Sequence, residues 1–152
     1  MQIFHLAKRF FGAISQHQPA DAEIRLVHEI LLPKEFELWT QMSAMDRRHS
    51  LVIHARFVKI FPQANIEQQR AALLHDIGKL QSQLGVVARV IATIIGPRTK
   101  RFRDYHDHEQ IGAQMLRNIA SNQTTHRMVL GEVGESSDDH QALEALNRAD
   151  DI

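Results

Sequence analysis

The amino-acid sequence predicts a single all-helical domain, and three observations lead to this fold class. Apolar residues recur at spacings of three and four nearly throughout the 152 residues, which is the helical period. No long stretch alternates apolar and polar residues as a strand would. No repeat or linker divides the chain, and its length suits one domain with a sizeable core.

The helices of the first half are bounded mainly by prolines. Their predicted ranges are 2–15, 21–31, 34–42 and 46–61. Pro19 precedes the second helix, and Pro33 permits the start of the third, because proline is tolerated in a first helical turn. Pro62 stops the fourth, since proline cannot continue a helix.

The helices of the second half have caps and breakers of their own. Their predicted ranges are 66–75, 80–95, 105–119, 124–133 and 139–151. Asn65 with Gln68 three residues later resembles a capping box and begins the first of them. Gly96 and Pro97 end the second, and a basic loop, "PRTKRFR" at 97–103, follows. This pattern is typical of a helical bundle.

Composition excludes several classes of protein. Lys plus Arg and Asp plus Glu are both 18, so net charge gives no signal for a nucleic-acid or acidic-lipid partner. The absence of cysteine excludes disulfides, thiolate catalysis and iron–sulfur clusters, and it fits a cytoplasmic protein. The most apolar stretch, 84–96, contains Arg89 and is too short for a transmembrane segment, which needs about 20 residues.

The amino terminus has cations within its apolar run. Lys8 and Arg9 lie in the middle of the run, whereas a signal peptide would place them before it, so we expect a retained amphipathic helix. The helices of 1–44 are expected to pack on a core domain at 45–152. Docking of the first helix on a partner or a membrane surface is the alternative to packing on its own domain.

Histidine is the unusual residue here, with ten in the chain, and one of them forms the doublet His75-Asp76. Neighbouring helical residues point about 100° apart, so the two side chains can share one point only at a helix end or in the turn after it. Gly78 supplies such a turn. An imidazole and a carboxylate together favour a divalent ion such as Mn, Fe, Co, Ni or Zn. Such an ion needs further ligands from other helices.

Helical phase sorts the candidates for those ligands. His49 lies on one face of its helix with Val52, Ile53, Phe57 and Ile60. It is therefore predicted to point inward, where an unpaired histidine is costly. His54 is five residues on and cannot share that point, although its own neighbours are also apolar.

Two later residues are inward-facing candidates by the same argument. His108 is in phase with Gly112, which would let another backbone or a ligand approach closely. Asp150 lies on the stripe of Leu143 and Leu146, whereas Asp151 does not. An acid on an apolar face requires a counter-charge, so Asp150 is a candidate ligand.

The order His49, His75-Asp76, Asp150 resembles the HD-domain (HDIG-type) phosphohydrolase superfamily, which is a bundle of helices. The strings that carry the resemblance are "RRHSLVIHA", "AALLHDIGK" and "LNRAD", with "HEQIGAQML" at 108–116 similar to a stretch that supplies an extra histidine in some members. The resemblance covers roughly residues 45–152.

The resemblance implies a metal site and a reaction. His49, His75, Asp76 and Asp150 would hold a divalent ion, Mg included, which activates water for attack on a small phosphoester such as a nucleotide. Asp76 would also orient or deprotonate that water. Lys79 would meet the phosphate, with Arg48 or Arg47 as further candidates. Three roles remain for His108, namely metal ligand, support for a ligand, or structural histidine. Lys79 is either a phosphate contact or an ordinary surface lysine.

One stretch departs from the superfamily pattern. Members with two metals carry another histidine on the following helix, where this chain reads "MVLGEVGESSDDH" with Glu135, Ser136 and Ser137. A one-metal site is therefore expected. The departure also keeps an alternative function open, namely an HD-fold regulatory or scaffold domain that hydrolyses nothing.

Overall fold

A computed structural model describes residues 17–82 and 108–151 of the chain. The helices are α1 (Asp21–Ile30), α2 (Pro33–Gln41), α3 (Ala44–Ile60), α4 (Ile66–Leu74), α5 (Lys79–Ser82), α6 (His108–Asn118), α7 (Gln123–Leu130) and α8 (Ser137–Asp150). No strand occurs in these two segments. The prediction of an all-α fold is confirmed.

The core lies where α4 meets α3, α7 and α8. The last four residues of α4, Ala71 to Leu74, are apolar and fully buried, which fits a helix end that is covered on several sides. The largest fully buried apolar side chains are Trp39, Phe57, Ile53, Leu73, Leu74, Ile77, Leu116 and Val27. Helix α3 lies against both α4 and α8, so it connects the centre of the bundle to its carboxyl-terminal end.

Capping groups explain several helix boundaries. The predicted capping box is confirmed, because Asn65 Oδ1 accepts from Gln68 N at 2.9 Å and Gln68 Oε1 accepts from Asn65 N at 3.0 Å. Helix α7 ends at Leu130, three residues earlier than predicted. The reason is Gly131, whose φ of 81° is the left-handed conformation that terminates helices.

The described part of 1–44 packs on the rest of the chain through polar as well as apolar contacts. Trp39 Nε1 donates to Ser50 Oγ at 2.9 Å, and Arg70 Nε donates to the carbonyl of Ile30 at 2.7 Å. Buried Glu35 accepts from Ser121 Oγ at 2.5 Å. The boundary between 44 and 45 stays a prediction.

Several expectations fall outside the described residues. These are the helix at 2–15, the part of the helix at 80–95 beyond Ser82, and the basic loop at 97–103. None of the helices in 17–82 and 108–151 has the length and apolar character that a membrane span requires. The cytoplasmic location stays a prediction.

Candidate metal centre

The His75-Asp76 doublet lies where α4 ends, as the sequence predicted. Residues 75–78 form a turn between α4 and α5, and the backbone bonds from Ile77 N to Leu74 O and from Lys79 N to Asp76 O close it. The turn ends α4, and His75 Nε2 lies 3.5 Å from Asp76 Oδ2. His75 and Asp76 are both buried, with 9% and 3% exposure.

Two other helices bring a histidine and a carboxylate to this turn. His49 of α3 has its Nε2 3.7 Å from Asp76 Oδ2 and 3.3 Å from Asp150 Oδ1 of α8. His75 Nε2 lies 3.5 Å from Asp76 Oδ2 and 3.6 Å from Asp150 Oδ1. One ligand atom each from His49, His75 and Asp76 lie within 4.8 Å of one another. The structure therefore brings together the four residues that the resemblance indicated.

The orientation of His75 leaves one ring nitrogen in need of a cation. Its Nδ1 is 2.9 Å from the carbonyl of Ala72, so Nδ1 carries the proton and donates. Its Nε2 is buried without a hydrogen-bond partner and faces the oxygens of Asp76 and Asp150. Lone pairs on one nitrogen and two carboxylates repel unless a cation lies among them. Sequence reasoning missed Ala72, although a helix-end histidine can reach a carbonyl of the last turn.

These donors fit a divalent metal. Ligand atoms at tetrahedral positions about 2.1 Å from one ion lie about 3.4 Å apart. The four imidazole–carboxylate separations here are between 3.3 and 3.7 Å. Two imidazoles and two carboxylates suit Zn, Mn, Fe or a similar ion, and the elements that carry them are fixed by the core.

Charges in the site shift the pKa values of its carboxyl and imidazole groups. Burial alone would raise the pKa of Asp76, but the charges of His75 and Lys79 and the hydrogen bond with His108 hold it well below its usual range. The hydrogen bond with His49 and the nearby imidazole of His75 lower the pKa of Asp150. Burial lowers the pKa of His75, yet the carboxylates of Asp76 and Asp150 raise it further than burial lowers it. In the metal-free protein a proton on His75 can therefore supply the missing cation.

Lys79 and His108 both contact the carboxylate of Asp76. Lys79 Nζ is 2.5 Å from Asp76 Oδ2, and its side chain is 16% exposed. His108 Nε2, at the first residue of α6, is 3.1 Å from Asp76 Oδ1. Asp76 is thus held at both oxygens. The predicted roles of Lys79 and His108 in phosphate and metal binding stay predictions.

The two arginines beside His49 have contacts within their own part of the fold. The guanidinium of Arg47 lies 5.6 Å from the centre of the Trp39 ring and donates to Gln18 Oε1. Arg48 Nε donates to the carbonyl of Ala44 on the same helix at 3.3 Å. Arg47 therefore supports the packing of α2 on α3, and phosphate binding by Arg48 stays a prediction.

Helical phase predicted the inward face of α3 only in part. Val52, which was predicted to share the inward face with His49, is 46% exposed, and the His49 side chain is 38% exposed. His49 therefore lies at the rim of the core, where α8 ends beside it. His54 is 7% exposed, and its Nε2 is 3.1 Å from Gln69 Oε1 of α4, so it is a structural histidine.

His54 gives the stability of the protein a pH dependence. Burial lowers its pKa from 6.5, and the bond to Gln69 opposes this only partly. The unfolded chain then binds the proton more readily than the folded chain, so stability is full above pH 6.5 and falls as the pH drops through 6.5. Urea unfolding of the wild type and His54→Gln between about pH 5 and 8 checks this. The free energy of unfolding is expected to fall less at acid pH in His54→Gln than in the wild type. Parallel curves would contradict it.

The stretch that departs from the superfamily pattern connects α7 to α8. Ser136 caps α8 by accepting from Asp139 N at 3.5 Å, and Ser137 begins the helix. Asp150 lies at the opposite end of α8, about 20 Å away along a helix of 14 residues. Ser136 and Ser137 therefore form the start of α8.

Comparison with protein families agrees with this geometry. The HD domain family matches residues 48–151, which include all four converging residues and most of the chain. No curated protein and no solved structure matches the chain significantly. The match covers more than half of the sequence, and the conclusion is that the chain belongs to the HD domain family.

Proposed function

We propose that this HD domain is a metal-dependent phosphohydrolase that cleaves a small phosphoester such as a nucleotide. The observation that carries the proposal is the convergence of four donors from α3, α8 and the turn after α4, with His75 Nε2 buried and unpaired among them. His49, His75, Asp76 and Asp150 would hold the ion. When bound, a divalent ion lowers the pKa of water and polarises a phosphoryl oxygen.

The protein's own residues would orient Asp76, offset its charge and keep the site open to a ligand. Asp76 has one oxygen against His108 and the other against Lys79, so its carboxylate is fixed in one orientation. Lys79 offsets the negative charge of Asp76, and its ammonium is a point charge that would attract a phosphate oxygen. Asp150 and His49 lie at the exposed side of the site, which leaves room for a ligand to enter from solvent.

Turnover with a panel of phosphoesters tests the proposal. The metal-loaded protein is expected to release phosphate or alcohol from at least one phosphomonoester, phosphodiester or nucleotide. At saturating metal, Lys79→Met should lower kcat by about 100-fold, as loss of a transition-state cation does in comparable sites. Lys59→Met, at an exposed position of α3, should leave kcat unchanged.

A regulatory or scaffold domain is the second candidate, and one observation favours it. The 132–137 stretch supplies no histidine to the site, and its serine caps a helix instead. A protein that binds the ion and turns over nothing in the panel would support this candidate and contradict hydrolysis.

A further inference from the structure

Two glycines let α6 lie directly on the turn that carries the metal-site doublet. A methyl group at Gly78 would lie 1.8 Å from the carbonyl oxygen of His108 and 2.8 Å from Gly112 N. A methyl group at Gly112 would lie 3.1 Å from Gly78 N and 3.0 Å from Ile77 Cγ2. Both glycines are buried, so the contact joins one backbone to the other.

The same contact determines where His108 lies. Its carbonyl is the atom nearest to the missing Cβ of Gly78, and its ring Nε2 is 3.1 Å from Asp76 Oδ1. Asp76 is two residues before Gly78, so both sides of this hydrogen bond are fixed by one backbone contact. A hydrogen bond fails beyond about 3.5 Å, which leaves little tolerance for displacement of α6.

We propose that Gly78 and Gly112 are positioning residues that hold His108 against Asp76 Oδ1. Because His108 contacts Oδ1 of Asp76, the other carboxylate oxygen, Oδ2, is directed toward the two imidazoles. Oδ2 lies 3.7 Å from His49 Nε2 and 3.5 Å from His75 Nε2. His108 thereby acts on the metal through the orientation of Asp76. This inference rests on the metal site of the proposed function, and it does not require hydrolysis.

The two glycines differ in how much a side chain would disturb. Ordinary contact for a Cβ begins at 3.4 Å, so alanine at Gly78 would separate the two backbones by well over an ångström. Alanine at Gly112 needs shifts of a few tenths of an ångström from its neighbours. Gly112→Ala is therefore the variant that should still fold, and Gly78→Ala the more severe one.

A double-mutant cycle on metal affinity tests the proposal. Isothermal titration with Mn²⁺ is performed on metal-stripped wild type, Gly112→Ala, His108→Ala and the double variant, each checked for folding by thermal melting. His108→Ala should weaken binding by about 10- to 100-fold, as loss of a residue that orients a ligand does, and Gly112→Ala by about 3- to 10-fold. In the His108→Ala background, Gly112→Ala should change the Kd by less than about twofold.

Gly134→Ala is the matched control. A methyl group there would meet only the end of the Arg127 side chain, at 3.2 Å, in the connection between α7 and α8. Its Kd should equal that of the wild type. Gly78→Ala, if folded, should weaken binding more than Gly112→Ala.

The possible failures can be told apart. Additive effects of Gly112→Ala and His108→Ala, or an unchanged Kd in both, would overturn the positioning role even if hydrolysis is observed. A fall from two bound Mn²⁺ per chain to one in His108→Ala would make His108 a ligand and also overturn it. The expected Kd pattern without turnover would overturn the hydrolase alone, and a wild type that binds no Mn²⁺ would overturn both.

Discussion

Replacement of Asp76 by alanine is expected to abolish retention of a divalent ion, with an affinity loss of at least about 100-fold. Asp76 is 3% exposed, and its Oδ2 lies within 3.7 Å of the Nε2 atoms of both His49 and His75. Its loss removes a negatively charged donor and leaves His75 Nε2 with only Asp150 opposite. Elemental analysis of protein purified without an affinity tag, with about one ion per chain in the wild type, checks the prediction.

Two neighbouring acids at the carboxyl-terminal end of α8 provide the matched test. Asp150 Oδ1 lies 3.3 Å from His49 Nε2 and 3.6 Å from His75 Nε2, whereas Asp151 follows the end of the helix and is exposed. Asp150→Ala should weaken binding by about 10- to 100-fold. Asp151→Ala should leave it unchanged, since one residue along the helix turns the side chain about 100° away. Equal losses would place the metal elsewhere.

The histidines provide a second contrast. His75→Ala should abolish metal retention as Asp76→Ala does. His54→Ala should retain the metal but lower the free energy of unfolding by about 1–3 kcal/mol, because it removes the buried hydrogen bond to Gln69. If His54→Ala lost the metal to the same extent, the assignment of faces on α3 would be wrong.

The doublet could be placed from sequence because its geometry is local. Two adjacent residues can share a point only at a helix end, and the turn at 75–78 confirms this. The role of Gly78 could not be predicted. The sequence indicated that it supplies the turn, and no positive φ is found there, since Gly131 is the positive-φ glycine of the described residues. What requires glycine at 78 is α6, which lies 30 residues further along the chain.

Contacts with residues far along the chain also limited what could be predicted for α3 and α2. Phase on α3 ranked His49 above His54 only modestly, because both have apolar neighbours. The difference is made by α4 and α8, which bring Gln69 to His54 and Asp150 to His49. The buried Glu35 was missed altogether. A glutamate near the start of an amphipathic helix is ordinarily solvated, and its partner Ser121 is 86 residues away.

Removal of the Glu35 carboxylate is expected to destabilise the fold by about 3–5 kcal/mol, the second large effect in this protein. Glu35 is fully buried on α2. Its Oε2 accepts from Leu32 N at 2.9 Å and lies 3.8 Å from Arg70 Nε, while Oε1 accepts from Ser121 Oγ at 2.5 Å. In Glu35→Ala the Arg70 cation, only 15% exposed, loses its carboxylate, and the Leu32 amide loses its acceptor.

Urea unfolding at neutral pH measures this loss against two variants of the same helix. Glu37→Ala, at an exposed position, should stay within about 0.5 kcal/mol of the wild type. Glu35→Gln keeps an acceptor oxygen for Leu32 N and replaces the other oxygen by an amide group that can donate to Ser121 Oγ, while the charge is lost. Its free energy of unfolding should therefore lie between those of Glu35→Ala and the wild type. Since a domain is stable by only about 5–15 kcal/mol, the loss in Glu35→Ala is a large fraction of the total. A Glu35→Ala protein within about 1 kcal/mol of the wild type would show that this cluster contributes little, as some buried ion pairs do. The folded fraction of each variant should bind Mn²⁺ with the affinity of the wild type, because Glu35 makes none of the contacts described for the metal centre.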